Sequence, residues 1–177
     1  MTEARTTLWT VGHSTQTLEQ LIDSLRAYEI SLLVDVRTVP RSRRNPQFNR
    51  ESLPGDLEPV GIAYRHEKGL GGLRKPRKDS TNLGWQNAGF RGYADYMETD
   101  DFELHIDALI EQAAGSRIAV MCAEAVPWRC HRSLIADALT ARGIDVVHIL
   151  SGKRGHAHRL TPFASIANGR VTYPGLQ

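Results

Sequence analysis

Apolar positions along the chain fall into short runs separated by polar loops. The first run, Leu8 to Val11, ends at Gly12; a Thr17/Gln20 capping-box pattern then precedes Leu18, Leu21, Ile22 and Leu25 at helical spacing, which predicts strand, loop, helix. Leu32 to Val36 is a continuous, β-branched-rich run of the kind shown by a strand buried on both faces. The polar stretch from Thr38 to Asn49, with its prolines and arginines and no hydrophobic period, reads as a long loop, and such loops in compact domains are commonly functional. Leu53, Leu57 and Val60 predict a short helix despite Pro54, and Ile62 to Tyr64 a third strand leading into Gly69-Leu70-Gly71-Gly72. Residues 73–91 have the Gly, Ser, Asn and Lys content of a surface insertion, expected to be mobile without its ligand. Helical patterning resumes over Gly92 to Met97 and Asp101 to Ala114, the second behind an Asp100-x-x-Glu103 cap. Ile118 to Cys122 and Val146 to Leu150 read as the fourth and fifth strands, with a helix from Cys130 to Arg142 between them and Gly143 as its C-cap. Periodicity fades after Ser151, and the pattern leaves the structure of the 159–177 tail open.

Strands alternating with helices at this spacing predict a single α/β domain over 1–177. The expected architecture is three-layer α/β/α and Rossmann-like, around a mostly parallel sheet of about five strands. Ligands of open parallel sheets bind beyond the carboxyl ends of the strands. The segments expected to converge there are Gly12-His13-Ser14, Asp35 to Arg43, His66 to Gly72, Cys122 to Arg132 and Ser151 to His158.

Composition narrows the class. Hydrophobic residues at 41% and charged ones at 24% of 177 positions exclude collagen-like, coiled-coil and wholly disordered readings. No apolar run approaches the roughly 18 residues of a membrane span, and MTEARTTLW lacks the apolar core of an export signal, so a cytoplasmic protein without membrane contact is expected. Two cysteines suit core thiols or site residues in a reducing compartment. The net charge of +2 conceals a segregation: residues 37–78 carry eleven basic against four acidic residues, and 153–177 four against none, which leaves the remainder at −9. Clustered positive charge is the footprint of an anion site, whether for a small phosphate or a nucleic-acid backbone, though solvated surface loops would give the same count.

MCAEAVPWRCHRS is the densest chemical cluster. Cys122 stands at a strand end with Glu124 two residues on, and Cys130, His131 and Arg132 open a helix whose free amides and dipole favour an anion or a thiolate. Glu124 suits a general base. The plainer alternatives are a buried structural Cys122 and an Arg132–Glu124 salt bridge. His13 and Ser14 could donate to phosphate or move a proton, or His13 could simply bond its own turn. Asp35 and Arg37 share one strand face, as pocket groups or as an internal ion pair. Arg41, Ser42, Arg43 and Arg44 with Asn45 and Phe48 offer fork-shaped donors and an aromatic platform, the combination used for phosphate plus base. Gly71 and Gly72 read as a tight turn that lets backbone approach a ligand. The Cys/His/Glu spacing matches no zinc pattern, so neither metal nor cofactor is expected.

Together TVGHST, VDVRTVPRSRRNPQF, AYRHEKGLGG, FRGYADYM and MCAEAVPWRCHRSLIADAL with VVHIL resemble the domain of unknown function 488 family over about residues 8–158. The resemblance implies an α/β domain with these motifs in one pocket. Its motif residues fall on Gly12, His13, Ser14, Asp35, Arg37, Pro40, Ser42, Phe48, Leu70, Gly71, Gly72, Cys122, Glu124, Cys130, His131 and Arg132. A slighter similarity is to rhodanese-like sulfurtransferases, which also place DVR after one strand and Cys after another; here the carboxylate of Glu124 departs from their compact anion loop. The expected function is an enzyme on a nucleotide or nucleic acid, with Arg37, Arg41, Arg43 and Arg132 on phosphate and Glu124 or Asp35 as acid/base, and with glycosidic cleavage as one reaction type. A thiol enzyme using Cys122 and a non-enzymatic nucleic-acid-binding module stand as the alternatives.

Overall fold

The computed structural model describes residues 5–175; residues 1–4 of the opening segment and 176–177 of the tail lie outside it. A six-stranded sheet is built from β1 (Thr7–Gly12), β2 (Leu32–Asp35), β3 (Ala63–His66), β4 (Ile118–Cys122), β5 (Asp145–Ser151) and β6 (Arg154–Ala157). Its order is β3-β2-β4-β1-β5-β6. The first five strands are mutually parallel, and β6 folds back antiparallel on β5. The helices are α1 (Leu18–Ala27), α2 (Leu53–Leu57), α3 (Ala88–Tyr96), α4 (Asp100–Ala113) and α5 (Arg132–Ala141).

Strand alternation sorts the core into two layers. Trp9, Val11, Leu33, Ala119 and Met121 face Leu21 and Leu25 of α1 and Leu53 and Leu57 of α2. Their neighbours Leu8, Val34, Ile118, Val120 and Cys122 face α3, α4 and α5 through Tyr93, Phe102, Ile106, Leu109, Leu134 and Ile135. The α/β/α architecture follows from this alternation, as the continuous apolar runs of the central strands predict. The Thr17 capping box forms as expected, with Gln20 N–H donating to the Thr17 hydroxyl and Thr17 N–H to the Gln20 side chain.

Several boundaries differ. Helix α4 is capped by Thr99, whose hydroxyl accepts from Phe102 N–H, so Asp100 is already helical and the expected cap falls one residue late. Helix α5 begins at Arg132 because Pro127–Arg129 form a separate tight turn. The tail, which carries no period, contributes β6 and a two-stranded ribbon of β7 (Ser165–Ala167) and β8 (Arg170–Thr172). It is anchored by polar contacts: the fully buried Asp137 carboxylate accepts from Tyr173 hydroxyl at 2.7 Å and from Thr161 hydroxyl at 2.7 Å, and lies 2.7 Å from His158 Nε2. His158 leads to the buried His148 at 2.8 Å and that ring to Thr10 on β1. The 73–91 segment is pinned as well, by buried Asn82, which donates to Asp95 and Glu98 and accepts from Tyr173 N–H. No helix of the described residues is long and apolar enough to cross a membrane.

Candidate functional site

Adjacent strands β1 and β4 send their following helices to opposite faces of the sheet, α1 to one and α5 to the other. The loops leaving them must diverge, and a crevice opens at the carboxyl edge, where open α/β sheets bind ligands. A cavity of about 900 Å³ occupies this position. His13 and Ser14 after β1, Arg37 to Val39 with Arg41, Ser42, Arg44 and Asn45 after β2, Gly72 to Lys75 after β3, and Cys122 to Ala125 with Arg129 to His131 after β4 line it. Of the residues singled out from sequence, His13, Ser14, Arg37, Arg41, Ser42, Gly72, Cys122, Glu124, Cys130 and His131 come together on its wall. Gly12, Asp35, Gly71 and Arg132 lie behind the wall, and Arg43 is exposed away from it.

The β2 end is a buried knot. Arg37 Nε and NH2 hold both oxygens of Asp35 at 2.9 and 2.6 Å, NH2 also donates to the Phe48 carbonyl, and NH1 lies 3.3 Å from His13 Nε2. Asp35 additionally accepts from Tyr64 hydroxyl and Arg37 N–H, and it has no exposed surface. The internal ion pair is therefore the reading that holds for Asp35, which corrects its expected acid/base role: the carboxylate is spent on its partners and closed from the cavity. Burial works against the Arg37 charge, but Asp35 outweighs it and leaves the guanidinium pKa raised. Phe48 stacks on His13 with ring centroids 4.5 Å apart and is fully buried, so it supports the knot and is no platform for a base. Burial lowers the His13 pKa; its Nδ1 faces the Ser14 carbonyl, so the neutral ring accepts from Arg37 through Nε2.

Beside it, Cys122 closes the floor. Arg132 NH1 lies 3.5 Å from Cys122 Sγ and NH2 donates to the Ala125 carbonyl at 2.9 Å. Arg132 is fully buried, which corrects its expected phosphate contact, and its NH1 and NH2 go to Cys122 Sγ and the Ala125 carbonyl, which corrects the alternative salt bridge to Glu124. The amides opening α5 are likewise engaged, Arg132 N–H on Cys130 Sγ and Ser133 N–H on the Cys130 carbonyl, so they form no open anion cradle. His131 Nε2 lies 3.0 Å from the Val36 carbonyl, and burial pushes its pKa down to about 4. Gly72 permits close approach, since a Cβ there would stand 2.7 Å from His131 Nδ1; the turn packs against this ring and, through Gly71, against Thr38, while the Gly72 backbone reaches the cavity. Glu124 is exposed and lines the cavity.

The pH response of the fold follows from three imidazoles that burial holds neutral, His13, His131 and His148, the last two displaced furthest. His131 near 4 and His148 near 3 both sit below the 6.5 of a free imidazole, burial being the leading cause in each. From pH 6.5 downward the unfolded chain takes up protons that the folded one refuses, so stability is whole above pH 6.5 and falls toward pH 4. The expected urea midpoint declines across that window; a flat midpoint would show that none of these rings is held neutral.

The remaining wall is strongly charged. Arg37, Arg41, Arg44, Arg74, Lys75 and Arg129 line it against a single carboxylate, Glu124. Arg74 and Lys75 belong to the basic 37–78 segment and were signalled by charge alone; Arg129 and Phe90 fall within segments expected at the pocket without being singled out, and Asn87 carries no sequence signal of its place here. No cluster of three or more metal-ligating side chains occurs among the described residues.

No curated protein and no solved structure matches the chain, and the rhodanese-like similarity has no support from the comparisons. Residues 17–139 match the family model described as Domain of unknown function DUF488, a span that takes in the β2 knot, the cationic loops and the Cys122 to Arg132 floor. On that match across more than half of its length, the chain belongs to the DUF488 family.

Proposed function

We propose that the protein is an enzyme acting on a nucleotide or nucleic acid bound in this cavity. The observation that carries the reading is the wall of six cationic side chains facing one carboxylate at the ligand-binding edge of the sheet. Arg41, Arg44, Arg74, Lys75 and Arg129 would hold phosphate, and Arg37, with four of its five N–H groups committed, would offer the fifth from a fixed position. Glu124 is the acid/base group, since it is the only carboxylate on the wall among the described residues. For glycosidic cleavage it would activate a water and stabilise the oxocarbenium-like centre.

Arg44 and Arg129 make no ion pair among the described residues and are exposed, which suits them for a test that spares the fold. Binding of a nucleoside monophosphate and of a labelled single-stranded oligonucleotide is expected to weaken about tenfold or more in an Arg44→Ala, Arg129→Ala variant, with a shallower salt dependence. Glu124→Gln should retain binding and lose turnover. Unchanged binding in the double variant overturns the reading, and full function in Glu124→Gln reduces it to a binding module.

A further inference from the structure

The cavity floor holds a charge that phosphate binding leaves unexplained. Arg132 has no exposed surface, yet no carboxylate among the described residues pairs with it, and its Nε has no hydrogen-bond partner. A buried guanidinium without a counter-charge is costly. The ionisable group its contacts supply is the thiol of Cys122, at 3.5 Å from NH1.

Cys130 closes on the same spot. Its sulfur accepts from Arg132 N–H and lies 3.5 Å from His131 Nδ1, so the backbone and guanidinium of Arg132 between them touch both sulfurs. Because His131 Nε2 faces the Val36 carbonyl, that nitrogen carries the ring hydrogen of the neutral imidazole and Nδ1 is left to accept. Both cysteines line the cavity and both are free thiols. Burial pushes the Cys122 thiol up, but the neighbouring Cys130 thiol and the Arg132 charge outweigh it and leave it lowered; the proximity of Cys122, with burial, drives Cys130 up. One thiol beside a guanidinium and one beside an accepting imidazole divide the work as an attacking and a resolving cysteine do.

We propose that Cys122 and Cys130 are a redox-active dithiol facing the cavity, with Cys122 attacking as a thiolate, Cys130 resolving, and a hydroperoxide as the oxidant. The Cys122 thiolate attacks a peroxide oxygen: an S–O bond forms, the O–O bond breaks, and the departing alkoxide takes a proton from water, leaving a sulfenic acid and an alcohol. Cys130 then attacks the Cys122 sulfur as its proton passes to His131 Nδ1. The S–S bond forms, the S–O bond breaks, and the hydroxide recovers that proton as water. Two thiols lose two electrons, the peroxide gains them, and an external thiol reverses the change. This dithiol is independent of the phosphate reading and stands or falls without it.

The test is brief treatment of the reduced, folded protein with hydrogen peroxide at pH 7, followed by peptide mapping. The expected product is a Cys122–Cys130 disulfide that dithiothreitol returns to two thiols. In Cys130→Ser, dimedone should capture a sulfenic acid on Cys122. In Cys122→Ser, the remaining Cys130, which accepts no hydrogen bond from the Arg132 guanidinium, should oxidise at least about tenfold more slowly than Cys122 does in Cys130→Ser. A Cys122 that resists peroxide in the folded protein while reacting in urea overturns the proposal, as does a wild-type sulfenic acid that never proceeds to the disulfide.

Discussion

Replacing Gly12 by alanine is expected to cost about 3 kcal/mol of stability and to abolish ligand binding. A Cβ at this position would overlap the Glu124 carbonyl oxygen and stand 2.6 Å from Arg132 NH1. Neither neighbour can retreat freely. Arg132 is sealed beneath α5, and the chain carrying Glu124 is stitched to β1 by His13 N–H on the Cys122 carbonyl and Ser14 N–H on the Ala123 carbonyl, each at 2.9 Å. Relief therefore means pulling the 123–125 loop off the end of β1 and opening the floor of the cavity. Urea unfolding and nucleotide titration read the two effects together; a variant with the parental midpoint and parental binding would show that the loop yields cheaply.

The second large effect is expected at Asp35. Asp35→Asn keeps the shape of the side chain but removes the charge that holds Arg37, leaving a buried guanidinium without an anion; the loss should be about 3 kcal/mol. The Asn amide also brings two hydrogens to a position where Arg37 Nε, NH2 and backbone N–H and the Tyr64 hydroxyl all donate. Equilibrium unfolding in urea measures this directly. A loss below about 1 kcal/mol, the size of an exposed ion pair, would mean that Asp35 contributes no more than a surface carboxylate.

What could be read in advance follows the reach of the interactions. Strands and helices were legible because Val34, Val120, Leu21 and Leu25 meet the core at spacings that local periodicity records. The meeting of His13, Arg37, Cys122 and His131 was legible through the rule that strand ends converge. Orientation was not. Whether Asp35 looks into the cavity or onto Arg37, and whether Phe48 faces a ligand or His13, depends on contacts that no spacing encodes. The tail escaped for a related reason: His148, His158 and Tyr173 are organised by Asp137, a buried carboxylate on a helix whose apolar stripe gave no hint of it.

The family match begins at residue 17, whereas the sheet order puts β1 between β4 and β5. A fragment trimmed to 17–139 would therefore lose the middle of the sheet as well as its β5–β6 margin: β4 would keep β2 on one side and present a bare, apolar hydrogen-bonding edge on the other. Exposed edges of that kind recruit other strands. The same cut removes His13 and Ser14 from the cavity wall and takes β5 and β6 as well, so the segment matched by the family model holds neither the whole sheet nor the whole wall of the site.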